Sequence, residues 1–337
     1  MAKNIVIFSD GTGQKGGLGA NTNIYKIFNV IEDRSKQQIS FYDPGIGNEK
    51  WRIVAKGTGL GITQNIKDCY NFIFENYESG DKIFLFGFSR GAATVRSLTG
   101  MLHLFGVLPK SRRDLVDQAY EIYKTKNYDK RRKLAKDFID RHHTMWAKVE
   151  FLGVFDTVAA LGLLSKAYNK LLNLLPWFKN DYHDFSLSES VVHGRQALAI
   201  DEERLAFRPV LWDPAIKVGQ SVKQVWFLGV HTDVGGGYGQ QGLSDISLKW
   251  MLDEAVAKGL KIYQKSQLRL APNADEYMNE EKFIFFKWPY RTQARAWPAA
   301  HGLPLVHKSV LQRRCGRHND MAAYKPWILN GKYEVCE

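Results

Sequence analysis

The 337-residue chain has only three cysteines, Cys69, Cys315 and Cys336, and no Cys-x-x-Cys pair. Three thiols cannot all pair internally, so a disulfide scaffold and a zinc ribbon are both excluded. Long apolar runs are missing too. The longest apolar-rich stretch, Val154 to Leu164, is interrupted by Asp156 and Thr157, whereas a membrane helix needs about 20 apolar residues. The opening Met-Ala-Lys-Asn and Ile5-Val-Ile-Phe8 is too short for a signal h-region and reads as a first strand. The expectation is a soluble protein made in the cytoplasm without a classical export signal. There is no repeat, low-complexity tract or Pro/Ser linker, which favours one domain over residues 1–337. Acidic residues number 35 against 47 basic ones, a formal charge of +12. That excess suits a solvated basic surface or an anionic membrane surface; no nucleic-acid motif accompanies it.

What is present is a core: hydrophobic residues make up 45 % of the chain, which rules out global disorder. Apolar runs ended by Gly or Asp recur at Asn4 to Phe8, Ile39 to Tyr42, Lys82 to Phe86, Val149 to Val154 and Gln224 to Val230, with a weaker one at Lys282 to Phe286. Such runs suit strands buried on both faces of a parallel sheet. Helical patterns lie between them at Asn21 to Ile31, Asn65 to Tyr77, Ala92 to Phe105 and Ser244 to Lys258. The alternation predicts an α/β fold with a mostly parallel sheet flanked by helices. Residues 108–147 and 160–222 read as helical insertions, and the amphipathic piece Leu161 to Phe178 could form a lid or an ordinary packed helix.

The sharpest local signal is Gly87-Phe-Ser89-Arg90-Gly91, directly after a strand and before a helix. That is the context of a nucleophile elbow. The turn crowds the positions two residues either side of the serine, and glycine relieves it. Ser89 is the candidate nucleophile, and the Arg90 backbone N–H at the helix N-terminus is the first oxyanion donor. The Arg90 side chain has two candidate partners, a neighbouring carboxylate or a lipid phosphate. The loop after the first strand, at Gly11 and Thr12, would supply a second donor. In α/β-hydrolases a carboxylate and then a histidine follow the serine. Counting the elbow strand as fifth makes Gln224 to Val230 the seventh, which selects Asp233 as the acid. Asp156, at the end of the preceding strand, is the alternative. The base must come later: His307 leads, and His301 and His318 remain. His231 lies close to Asp233 in sequence and is a candidate substrate contact.

The blocks Phe8-Ser-Asp-Gly-Thr12, Gly87-Phe-Ser-Arg-Gly-Ala92, Gly153-Val-Phe-Asp-Thr-Val158, His231-Thr-Asp-Val-Gly-Gly-Gly-Tyr238 and Val306-His-Lys-Ser-Val310 resemble the signature blocks of the DUF2235 α/β-hydrolases. Ala197-Leu-Ala-Ile-Asp-Glu-Glu-Arg204, with Phe207 and Trp212, belongs with them. This family includes the Tle1-type phospholipase effectors of bacterial type VI secretion. The resemblance implies an α/β-hydrolase fold, a Ser89-Asp233-His307 triad and esterase chemistry on phospholipid acyl chains. It also implies delivery by the type VI system to a target cell's periplasm or membrane, with an immunity or secretion partner protein. Against long effectors, the expectation from these 337 residues is a catalytic domain without their large additional region.

Two other readings compete. Gly11-Thr-Gly-Gln-Lys-Gly16 matches the dinucleotide-binding G-x-G-x-x-G. However, Asp10 would face the pyrophosphate, and helical sequence begins only near Asn21. A non-catalytic module that binds lipid or a partner is the other. No cofactor is required for ester hydrolysis by a triad. Asp10, Asp43 and Asp156 could reach one divalent cation at the strand ends, but their spacing is no metal motif.

Overall fold

The computed structural model describes residues 2–11, 17, 19–33, 35–45, 60–158, 187–263, 269–280, 292–317 and 321–337. Its elements in chain order begin with β1 (Asn4–Ser9), α1 (Asn23–Val30), β2 (Gln38–Asp43), α2 (Leu60–Asn76), β3 (Lys82–Phe88) and α3 (Arg90–Phe105). Then come α4 (Asp114–Tyr123), α5 (Tyr128–His142), β4 (Val149–Phe155), β5 (Val191–Ala199) and β6 (Ser221–Phe227). The chain closes with α6 (His231–Gly235), α7 (Gly242–Val256), β7 (Leu305–His307), α8 (Ser309–Gln312) and β8 (Glu334–Cys336). The strands form one sheet in the order β2-β1-β3-β4-β5-β6-β7-β8. Every neighbouring pair is parallel.

The continuous apolar runs follow from this layering. Alternate side chains of a strand point to opposite faces, and here both faces are covered. Ile5, Ile7, Ile83 and Leu85 pack on one side with residues of α2, α3 and α4. Val6, Phe8, Phe84 and Phe86 pack on the other with α1 and α7. This is the α/β-hydrolase architecture expected from the sequence, with the Gly-x-Ser-x-Gly turn leaving an interior strand.

Three strands escaped the sequence reading. The most important is β5, Val191-Val-His-Gly-Arg-Gln-Ala-Leu-Ala199, whose polar middle hides it. Arg195 is buried there because Glu254 accepts from its Nε at 2.6 Å and Ser221 O from its Nη1 at 2.8 Å. Residues 191–199 therefore belong to the sheet and not to a helical insertion. The strand at Lys282 to Phe286 and the piece Leu161 to Phe178 lie outside the described residues. In the other insertion, Phe138 of α5 packs on Phe105 with ring centroids 5.4 Å apart. Phe105 is at the far end of α3, about 24 Å along the helix from Ser89.

The elbow glycines are required by close approach. A Cβ at Gly91 would stand 2.0 Å from Ser9 O, and one at Gly87 would stand 2.6 Å from Gly91 O. Both obstacles are backbone and cannot swing aside. Gly91→Ala should therefore lower stability by about 1–3 kcal/mol, read as a shift in the urea midpoint. An unchanged midpoint would mean that β1 and α3 are not held this tightly.

Candidate active site

Ser89 sits between β3 and α3 with φ 57° and ψ −118°. A non-glycine residue at positive φ is strained, and such strain persists only where the surroundings enforce it. Here Ser89 N donates to Phe155 O at 3.1 Å, which ties the turn to the end of β4. The Ser89 side chain makes no capping bond to its own helix, so its hydroxyl is not consumed by local structure. Gly11 lies alongside, since a Cβ there would be 3.7 Å from Ser89 Cβ.

Asp156 follows β4, the strand beside β3, and is also strained at φ 40°. It is fully buried. Its Oδ2 is 2.6 Å from His231 Nδ1. Arg295 grips the same carboxylate with two bonds, Nη1 to Oδ1 at 2.6 Å and Nη2 to Oδ2 at 2.8 Å. Ala199 N donates to Oδ1 at 3.1 Å. Burial alone would raise the carboxyl's pKa. The Arg295 charge and the hydrogen bonds from His231 and Arg295 outweigh it and hold Asp156 well below the usual carboxylate range. Because Asp156 stays ionised, His231 Nδ1 carries a proton and donates to it.

His231 reaches this place because the chain leaves β6 and folds back over the sheet. Gly229 takes φ 105°, and its N–H donates to the buried Asp201 Oδ2 at 2.8 Å. The imidazole then packs against two rings: Phe88, next to Ser89, at 4.7 Å between centroids, and Phe207 at 5.0 Å. The Arg204 guanidinium lies over the Phe207 ring, 3.7 Å from its centroid. Arg204 Nη2 donates to Glu202 Oε2 at 2.6 Å, and His231 N donates to the same oxygen at 3.3 Å.

Asp233 and His307, the acid and base expected from the sequence, are not brought together. Asp233 Oδ2 accepts from Val230 N at 3.1 Å and caps α6, while Asn279 Nδ2 donates to Oδ1 at 2.8 Å. Burial raises its carboxyl to about 6. His307 is on β7, four strands from β3, about 19 Å of sheet at the usual strand spacing. Its Nδ1 accepts from Ser309 N at 3.2 Å, so no N–H remains there for a carboxylate. The ring stacks on Phe227 at 4.8 Å. Burial, with Lys308 and Lys249 nearby, lowers it to about 4. His301 Nε2 lies 3.0 Å from Trp212 O, and His318 is outside the described residues.

The hidden strand β5 moves Asp233 off the seventh position of the strand count. With β5 counted, β4 is the sixth hydrolase strand, β5 the seventh and β6 the eighth. Asp156 ends the sixth strand in either count, Asp201 and Glu202 follow the seventh, and His231 follows the eighth. Of the oxyanion candidates, Arg90 opens α3, where the first N–H groups have no acceptor within the helix. Burial lowers the Arg90 guanidinium to about 10. Gly11 N is already engaged, donating to Asp10 Oδ1 at 2.6 Å, and Thr12 is outside the described residues. Asp10 is buried and raised to about 6, with Thr22 and Tyr42 hydroxyls donating to its Oδ2 at 2.6 and 2.7 Å. Asp43 accepts from Ser9 Oγ at 2.7 Å. Among the described residues no group of three or more His, Cys, Asp or Glu side chains could hold a metal ion. Nor is any described helix long and apolar enough to cross a membrane.

Residues 3–254 match the model of the type VI secretion phospholipase effector Tle1-like catalytic domain. An uncharacterized Saccharomyces cerevisiae protein, YEL023C, is 31 % identical over 239 residues, 63 % of this chain and 33 % of that one. This chain thus spans about a third of the length of the curated relative it matches. A crystal structure of an uncharacterized Pseudomonas aeruginosa protein aligns with TM-score 0.48 and 16 % identity, covering 79 % of this chain and 47 % of that one. The Tle1 effector bound to the VgrG spike of the type 6 secretion system aligns with TM-score 0.38 and 19 % identity, covering 71 % and 52 %. With its model matched over residues 3–254, the chain belongs to the Tle1-like catalytic domain family.

Proposed function

We propose that this domain is a carboxylic ester hydrolase in which Ser89 is the nucleophile, His231 the general base and Asp156 the residue that orients it. The observation that carries the reading is the buried 2.6 Å contact between Asp156 Oδ2 and His231 Nδ1, beside the strained elbow of Ser89. Ser89 Oγ attacks the ester carbonyl as His231 Nε2 takes its proton. Asp156 accepts from Nδ1–H throughout and stabilises the imidazolium. The Arg90 N–H at the start of α3 supports the oxyanion. Losing one such donor typically costs roughly 100- to 1,000-fold in rate. Collapse of the tetrahedral species expels the alcohol, protonated by His231. Water then attacks the acyl-enzyme by the same route in reverse.

Family membership supports phospholipid as the substrate and the type VI system as the route of delivery. A VgrG-type spike protein is the kind of secretion partner this implies, and an immunity protein would be a further one. Incubation with a panel of phospholipids and short esters, followed by mass spectrometry, should reveal free fatty acid and lysophospholipid. Intact lipids and esters across the whole panel would reject the reading.

A further inference from the structure

We infer that Arg295 is a positioning residue for the His231–Asp156 pair: it fixes the carboxylate that orients the imidazole and the aromatic ring that covers it. The inference rests on the catalytic reading above for its kinetic consequences, though not for its geometry.

In the triad template a carboxylate meets the imidazole and stabilises its charged form. Here a guanidinium also takes both oxygens of the same carboxylate, at 2.6 and 2.8 Å. The remaining reach of Arg295 goes to backbone: Nη1 donates to Ala199 O at 2.8 Å and Nη2 to Phe207 O at 2.6 Å. One buried side chain therefore joins the end of β4, the end of β5 and the turn at Leu205–Phe207. Phe207 is the ring 5.0 Å from His231. A planar fork suits this task, because lysine offers a single ammonium and cannot bridge a carboxylate bidentately.

Two effects follow and can be separated. The first is electrostatic. A positive charge in contact with Asp156 makes a further proton on the His231–Asp156 pair costlier. Among the described residues, the other charged groups next to the pair include Glu202, which Arg204 neutralises at 2.6 Å, and Asp233 on α6, which Asn279 holds. Neither touches Asp156. Removing Arg295 should therefore let the pair bind its proton at higher pH. The second effect is geometric. Without the bonds to Ala199 O and Phe207 O, the ceiling over the imidazole loses its tie to the acid.

The test uses Arg295→Met and Arg295→Lys in the full chain. In Arg295→Met the acidic limb of the kcat/KM profile should move up by about one pH unit. In Arg295→Lys the limb should stay, while kcat falls about 10- to 100-fold from misplacement and KM holds. The His231 ring resonances, assigned by their loss in His231→Gln, are followed by NMR through a pH titration in a Ser89→Ala background. Their midpoint should move up with Met and stay with Lys. This measurement needs no turnover, so it judges the Arg295 inference even if the ester hydrolase reading fails. An unmoved midpoint in a cooperatively melting Arg295→Met variant overturns the electrostatic half. Wild-type kcat in Arg295→Lys overturns the geometric half. Should Arg295→Met fail to fold, the Lys variant alone decides: wild-type kcat rejects the inference, and the expected loss at unchanged KM supports it.

Discussion

Ser89→Ala should remove ester turnover by on the order of 10⁴-fold or more while leaving the fold intact. The expectation of intact folding comes from what the hydroxyl does not do. Ser89 makes no capping bond to α3, and alanine carries the same Cβ at the same positive φ, so neither a hydrogen bond nor a conformational preference is lost. Ser89→Gly sharpens the test. Glycine relieves the strain of φ 57°, worth on the order of 1 kcal/mol, so this variant should be more stable than the wild type and equally inactive. A stabilised, inactive protein indicates strain held for function. Turnover retained in Ser89→Ala would show that another group performs the attack. Urea midpoints together with initial rates on a soluble ester decide between these outcomes.

The elbow and the layered fold were legible because each rests on local patterns. Apolar strands buried on both faces, glycines on either side of a serine and a helix starting at once are all written within a dozen residues. The acid and base were harder for a topological reason. Their assignment depends on counting strands, and β5 carries His193, Gly194, Arg195 and Gln196 in its middle. Arg195 and Gln196 are tolerated there because partners on other elements satisfy them: Glu254 for Arg195, and Arg96, Thr157 and Gln224 for Gln196. No window of sequence around β5 contains those partners. Missing it placed Asp233 after the seventh strand, where counting β5 puts Asp201 and Glu202 instead, and sent the search for a base past His231 to His307.

Arg295 was invisible for a related reason. It lies 139 positions from Asp156, and its own neighbourhood, Thr292-Gln-Ala-Arg295-Ala-Trp297, carries no motif. The one local hint was His231 at a strand end two residues before Asp233. Proximity in sequence counted against it, yet the two side chains diverge. Asp233 turns back to cap α6 at Val230 N, while His231 faces Phe88 and Asp156. A short helix starting at His231 separates them by rotating successive side chains about its axis.

That divergence gives the second large effect. His231→Gln should lose turnover about as completely as Ser89→Ala, whereas His307→Gln should stay within a few-fold of wild type. Asp156→Asn should fall by about 10⁴-fold, the loss expected when an amide stabilises the wrong tautomer. It also leaves Arg295 buried without its counter-charge, a disruption of about 3–5 kcal/mol, so its rate must be referred to the folded fraction. Asp233→Asn keeps an oxygen for the Val230 N–H, so its rate should change little. Combining Ser89→Ala with His231→Gln should cost hardly more than either alone, because residues that act as one unit are not additive. A multiplicative loss would mean that the imidazole serves some step other than activating Ser89. The opposite pattern, with His307→Gln inactive and His231→Gln active, would require β7 to leave its place between β6 and β8 during catalysis.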